Sequence, residues 1–252
     1  MTSVAIDQGA LFAALSSLAD NKHLLGRRYA HWSNGAPSLE AAVAAAAMTQ
    51  DELGHARTLY PLLEQFEQGK ANPTQLDPMT RDTRYAVAAL DHNFLGWADF
   101  IAASFLLDTA LTTFFTAAQD SSYEPLRARA RKIIQEERLH FTHASGWVAR
   151  LANAGGGVRA NLIEALGRWW DEALCWFGPD DDPTMRHLYD AGVIDATPDT
   201  LRSRYLAVVM PALRRVGLDE PVTHDDATDT WRPSEPLPWS RWDATTRRLG
   251  AA

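Results

Sequence analysis

The chain has 252 residues, enough for one large domain with a full hydrophobic core, and its composition is 46% hydrophobic, which is atypical of disordered proteins. Its formal net charge of -8 and the lack of a dense Lys/Arg cluster argue against binding to nucleic acid or to an anionic membrane surface. Because Cys175 is the single cysteine, no intrachain disulfide can form, and Asp7 and Gln8 interrupt the N-terminal stretch that a signal peptide needs to be apolar. These features predict a cytoplasmic protein.

Four long helical segments are predicted in the first 150 or so residues, with apolar side chains at helical spacing. A break at 33–37 ends the first segment, and Ser38 is placed to cap the second. A polar connection at 69–78 and a short helix near 81–91 are predicted before the third. The four long segments are 11–32, 38–68 with Ser38 as the cap, 97–118, and 121–152 with its start placed within 121–125.

The glycine run at 155–157 is a helix stop signal. Two further helices are predicted beyond it, at 162–177 and 198–216. The last 30 residues contain several prolines and are predicted to form an irregular strap, and no β-strand of consequence is predicted. The sequence thus predicts an all-α helical domain over 1–220, with a strap over 221–252 packed on it.

Two Glu-x-x-His motifs, at Glu52 to His55 and Glu137 to His140, are the most informative pattern in the chain. Residues three apart lie on one face of a helix, so each pair can direct a carboxylate and an imidazole to the same point. Two such pairs, with a further carboxylate from each of two more helices, form a di-iron or di-manganese site inside a four-helix bundle.

Asp108, which precedes the glutamate of the second motif by 29 residues, is the candidate for a third ligand. Its neighbours are apolar, and a buried carboxylate is costly unless it is paired or binds a metal. The alternative is an aspartate that caps a helix or pairs with an arginine. The same offset before the first motif points to Lys22 or His23. The nearest carboxylate, Asp20, is not a candidate because it faces another side of the helix.

A lysine at this position leaves two interpretations open. A buried amine can lose its proton and bind a metal. Alternatively, the ammonium of Lys22 can occupy the place of a metal and neutralise the surrounding carboxylates. Among the neighbouring residues, His143 is predicted to be a partly exposed helix residue, and Asp51 and Glu136 are predicted to face solvent or an adjacent helix.

Several longer motifs together carry a resemblance to a known family. They are Gln50–His55, Gly96–Asp99, Leu107–Ala110, Glu136–His140, Arg168–Trp170 and Phe177–Asp181. Through them the sequence resembles, over about residues 15–220, the phenylacetic-acid-catabolism family of ferritin-like proteins, meaning the catalytic and structural subunits of bacterial phenylacetyl-CoA epoxidase. The resemblance implies a ferritin-like four-helix bundle with additional C-terminal helices.

The resemblance also implies a set of iron ligands, with the first-helix glutamate of the family falling at Lys22. The implied ligands are Glu52, His55, Asp108, Glu137 and His140. Lys22, Glu52 and Glu137 are the residues expected to take part in catalysis. Five of six expected ligands are therefore present, and the chain keeps as His55 a histidine that the structural subunit has lost.

The expected function is that of a non-haem di-iron monooxygenase, which activates dioxygen and hydroxylates or epoxidises an organic substrate, by family analogy a CoA or carrier-protein thioester. Electrons would come from a separate reductase. The alternative is a protein with one metal or none, acting as a structural partner subunit or a specialised enzyme of secondary metabolism. A homodimer, or a heterodimer with a related subunit, is expected to form through Trp97, Phe100 and the helix around Trp169.

Overall fold

The computed structural model of the chain describes residues 4–70, 78–81, 83–219 and 221–250. The architecture is all-α, which confirms the predicted fold class. The described helices are α1 (Gln8–Trp32), α2 (Leu39–Leu63), α3 (Glu67–Lys70), α4 (Trp97–Ala103), α5 (Thr109–Ala117), α6 (Glu124–Asn153), α7 (Gly156–Cys175), α8 (Pro183–Asp190) and α9 (Pro198–Arg215).

The long helices begin where their sequences provide caps. The Asp7 carboxylate accepts a hydrogen bond from the Ala10 amide at the start of α1, and Ser38 caps α2 as predicted. Gly155 ends α6 and starts α7 with a φ of 70°, a left-handed conformation that glycine adopts at low cost. Helices α1 and α2, α5 and α6, and α4 and α7 pack in pairs around one core.

The third long segment of the bundle is not a continuous α-helix. A π-helical turn, Ser104–Asp108, lies between α4 and α5. By length and composition the whole segment, Trp97–Ala117, could cross a membrane, but 89% of its most apolar stretch is buried inside the protein. This burial accounts for its apolar composition, since it is the central helix of the core.

The predicted short helix at 81–91 is wrong. Apart from residue 82, which lies outside the described residues, this stretch contains only a 3₁₀ turn at Ala88–Asp91. The buried side chains of Asp20 and Asn21 on α1 accept hydrogen bonds from the backbone amides of Tyr85 and Val87, respectively. These amides therefore bond α1 and do not form the hydrogen bonds of a helix in their own segment. Of the predicted connection at 69–78, residues 71–77 lie outside the described part.

The C-terminal strap contains short strands that the sequence did not predict. Strand β1 (Val222–Asp225) pairs antiparallel with β2 (Thr230–Pro233), and β3 (Trp242–Asp243) pairs with β4 (Arg248–Leu249). The strap packs on α7 and α9. Its treatment as a separate unit stays a prediction.

Of the predicted partner contacts, Phe100 and Trp169 are buried within the single chain, while association with a partner through other residues stays a prediction. The side chains of Phe100 and Trp169 are 0% and 3% exposed, because both belong to the core of the single chain. Phe100 stacks on half-buried Trp97 with a ring separation of 4.5 Å. Aromatic side chains between α4 and α7 therefore join the helices of one molecule.

Candidate metal centre

A fully buried lysine lies at the centre of the bundle and contacts three carboxylates. Lys22 Nζ is 2.5 Å from Asp108 Oδ1, 2.5 Å from Glu137 Oε1 and 3.1 Å from Glu52 Oε1. All four side chains are at most 1% exposed. Three helical segments besides α1 thus bring one carboxylate each to the same ammonium group.

Local features of the helices position these groups. A Cβ atom added at Gly26, one turn after Lys22, would lie 2.8 Å from Leu53 Cγ and 3.1 Å from Glu52 Cβ, so glycine permits the close approach of α1 and α2. Asp108 ends the π-helical turn, a feature that occurs frequently at functional sites.

The two motif histidines each bond a carboxylate from the opposite helix. His140 Nδ1 is 3.1 Å from Asp108 Oδ2, and its Nε2 is 3.3 Å from Asp51 Oδ2 on α2. His55 Nε2 is 2.8 Å from Glu136 Oε2 on α6. A carboxylate that binds the outer nitrogen of a metal-ligating histidine fixes the orientation of the ring.

Asp51 and Glu136 each face an adjacent helix, one of the two predicted orientations, and there they contact the motif histidines, which the sequence interpretation did not predict. The available signal was the acidic residue immediately before each motif glutamate. His143 is half-buried, as predicted. Asp20, which sequence reasoning excluded from the cluster, faces Arg81 instead, and Lys22 rather than His23 occupies the centre.

The negative charges of the cluster raise the pKa values of its two basic members, Lys22 and His140. Burial alone lowers the pKa of Lys22, but the negative charges of Asp108, Glu137 and Glu52 outweigh it and raise that pKa well above its usual value. Burial likewise opposes the charging of His140, yet its contacts with Glu137 and Asp108 raise its pKa far above 6.5. Both groups are consequently cations at neutral pH.

The pKa values of the two glutamates of the cluster are shifted in opposite directions. Burial and repulsion from Asp108 raise the pKa of Glu52 to about 8, despite the attraction of Lys22. Burial also acts on Glu137, but Lys22 and His140 overcome it and hold its pKa well below 4.5. At pH 7 the two cations therefore balance the charges of Asp108 and Glu137, while Glu52 is largely protonated.

A cavity of about 580 Å³ reaches the cluster from the surface between α5 and α6. Asp108 and Glu137 lie among its lining residues, and Arg138 and Val208 lie in its exposed part. Its volume is within the range of small-molecule sites. A cavity of moderate size therefore lies directly beside the buried cluster.

Comparison with known proteins identifies the relatives of this chain. The sequence profile of the phenylacetic acid catabolic protein family matches residues 2–234. The chain belongs to this family. It is 28% identical over 193 residues to one subunit of the 1,2-phenylacetyl-CoA epoxidase of Escherichia coli (strain K12), covering 76% of this chain and 62% of that relative. It is 29% identical over 209 residues to another subunit of the same enzyme, covering 81% of each chain.

Membership of the phenylacetic acid catabolic protein family implies iron, and the donors present can be tested against that implication. Ligand atoms of Glu52, Asp108, Glu137 and His140 all lie within 4.8 Å of one another. Glu52 Oε2 is buried without a hydrogen-bond partner. Together with Asp51 on the outer nitrogen of His140, these donors fit one divalent ion. His55, which the resemblance implied as a ligand, is not among these four donors.

Two iron ions do not fit this cluster. The ammonium of Lys22 contacts all three carboxylates, where the family has a further carboxylate by resemblance. When a metal binds, Glu52 must be ionised and His140 neutral; three carboxylates and one ammonium then sum to -2, which matches one divalent cation and falls short of the charge of two. The role of each residue as a ligand stays a prediction.

Proposed function

We propose that this protein is an oxygen-activating iron enzyme that holds one iron per chain and oxidises a small organic substrate bound in the cavity between α5 and α6. The observation that carries the proposal is the cavity, which ends on Asp108 and Glu137 within a four-donor cluster. Family membership supports the same reaction class, since the relatives are epoxidase subunits. Dioxygen is the co-substrate, and electrons come from a separate reductase.

The residues of the cluster have distinct tasks in this proposal. Glu52, Asp108, Glu137 and His140 hold the iron, which supplies the activation of dioxygen when it is bound. The ammonium of Lys22 keeps three carboxylates converged at one point and can donate a hydrogen bond or a proton there. Substrate in the cavity contacts the Asp108 and Glu137 side of the cluster.

A second candidate function is favoured by the charge balance at Lys22. With Glu52 protonated, the cluster is neutral without any metal, and the ion pairs hold the bundle together by themselves. The chain would then be a partner subunit of an oxygenase complex that does not itself activate oxygen. Its similarity to two subunits of one epoxidase agrees with a role beside a partner chain.

Iron content distinguishes the two functions. We expect about one iron per chain in protein purified from iron-replete cells without chelator, and an increase towards two in Lys22→Glu, which restores a carboxylate. Arg131→Glu, an exposed charge reversal on α6, is the matched control and should leave the iron content unchanged. Oxygen uptake by the iron-loaded protein with a chemical reductant then tests the reaction. If neither the unmodified protein nor Lys22→Glu contains iron, the partner-subunit function is favoured.

A further inference from the structure

The mouth of the cavity between α5 and α6 carries a single positive charge. Arg138 is exposed, and it is the only cationic side chain among the described residues that line this cavity. The acidic lining residues, Asp108 and Glu137, lie at the buried end and already bond Lys22. Within the described parts of the chain, no carboxylate lies within ion-pair distance of the Arg138 guanidinium.

The walls between the mouth and the cluster offer few free polar groups. The hydroxyls of Thr112, Thr113 and Thr116 each donate to a carbonyl of their own helix at 2.9 Å, so these donors are not available to a ligand. Ile134 and Phe141 line the cavity beside them. The engaged threonine hydroxyls and these apolar side chains favour an apolar ligand body, with Ser104 Oγ as a buried lining hydroxyl that has no hydrogen-bond partner.

We infer that the substrate of this site is an amphipathic anion, whose apolar body lies along α5 and whose negatively charged end group binds Arg138 at the mouth. The inference rests on the proposed function, because it takes this cavity to be the substrate site. Arg138 selects for charge at one end, while the reacting part of the molecule reaches the Asp108 and Glu137 side of the cluster. A carboxylate of a free acid or a phosphate of a carrier thioester meets the same requirement.

Binding of three eight-carbon probes to the metal-free protein tests this inference. By isothermal titration calorimetry, octanoate should bind more tightly than 1-octanol, and octylamine should bind most weakly. Arg138→Met should weaken octanoate binding by about fivefold, the order expected of an exposed ion pair, and should leave 1-octanol binding unchanged. Arg131→Met, which removes an exposed arginine of the same helix outside the cavity, should change neither.

A mouth-blocking variant, Thr116→Phe, locates the binding, since Thr116 is an exposed lining residue. It should weaken octanoate and 1-octanol alike. Each of four results would overturn the inference. These are equal affinity for octanoate and 1-octanol, preference for octylamine, retention of octanoate binding in Thr116→Phe, and no binding of any probe.

Two further measurements identify the chemical source of the anion and distinguish failure of this inference from failure of the proposed function. If octanoyl-CoA binds more tightly than octanoate, and adenosine 3′,5′-bisphosphate competes with octanoyl-CoA, the end group is a phosphate. If octanoate binds at least as tightly as octanoyl-CoA, the end group is a carboxylate. Either result supports selection by Arg138. Because the probes are titrated without iron, an iron-free protein overturns the oxygenase proposal alone. A protein that holds iron but lacks the charge preference overturns this inference alone.

Discussion

Replacing Lys22 by methionine should strongly destabilise the metal-free protein. Methionine keeps the length of the side chain but removes the ammonium that lies within 3.1 Å of three buried carboxylates. Removal of one partner from a buried ion pair costs roughly 3–5 kcal/mol, because the remaining charge is left uncompensated in a low-dielectric interior.

The structure places the expected cost near the lower end of this range. Glu52, with a pKa of about 8, is already largely neutral at pH 7, and the positive charge of His140 remains beside Asp108 and Glu137. We therefore expect Lys22→Met to lower the free energy of unfolding by about 3 kcal/mol. For a chain of this size, that corresponds to a decrease in Tm of roughly 6–12 °C.

Urea unfolding in the presence of a chelator measures this change directly. Arg131→Met, which removes an arginine from an exposed ion pair with Asp120, is the control and should cost about 1 kcal/mol or less. A loss of less than about 1 kcal/mol in Lys22→Met, equal to the control, would refute the view that the ammonium stabilises the cluster.

Three other predictions follow from the same contacts. The metal-free protein should lose stability from pH 5.5 to pH 8, because the folded-state pKa values of Glu52 and His140 are raised. The stabilising contributions of Glu52 and His140 are complete below pH 4.5 and pH 6.5 respectively and are lost as the pH rises. The contribution of Glu137, whose pKa is lowered, is lost only as the pH falls below 4.5. Urea midpoints measured across this pH range should show the loss of stability, and Glu52→Gln should reduce that loss. If the decrease in stability with pH is the same in Glu52→Gln, the raised pKa assigned to Glu52 is contradicted. Asp51→Asn should weaken iron binding by roughly 10- to 100-fold in a competition titration, through lost orientation of His140, and unaltered affinity would exclude that role. Gly26→Ala should cost about 1–3 kcal/mol in urea unfolding by overpacking the contact between α1 and α2, and a neutral effect would show that the helices can separate freely.

Much of the site was predictable from periodicity, because its members lie on long helices. Glutamate and histidine three residues apart share a helix face, and the apolar neighbours of Asp108 required a partner for its charge. The 29-residue offset from Asp108 to Glu137, applied to the first motif, pointed to Lys22 or His23, and only packing against α2 decides between them. Lys22 is buried while the adjacent His23 is only partly buried, in agreement with Lys22 as the residue that enters the cluster.

The parts that sequence reasoning missed depend on contacts between distant segments. Asp51 and Glu136 lie away from the motif face of their own helices, but each reaches the histidine of the neighbouring helix. The π-helical turn has no composition signal, and the stretch at 83–91 is shaped by side chains of α1. Short elements of this kind are set by tertiary contacts more than by local propensity.

The lysine at the centre makes iron binding a competition with protons, so the two candidate functions correspond to two states of one cluster. Without metal, Glu52 and His140 are protonated and the cluster is neutral. A divalent ion that binds while Lys22 keeps its charge must release both protons, since ligands bind in their deprotonated forms. Iron affinity should then rise about hundredfold per pH unit between pH 6 and 7, because each released proton contributes a factor of ten. A change of about a thousandfold would mean that Lys22 also loses its proton and binds as a neutral amine. Competition titrations with a chelator of known affinity at two pH values decide between these cases, and a pH-independent affinity would refute the protonation pattern derived from the contacts of the cluster.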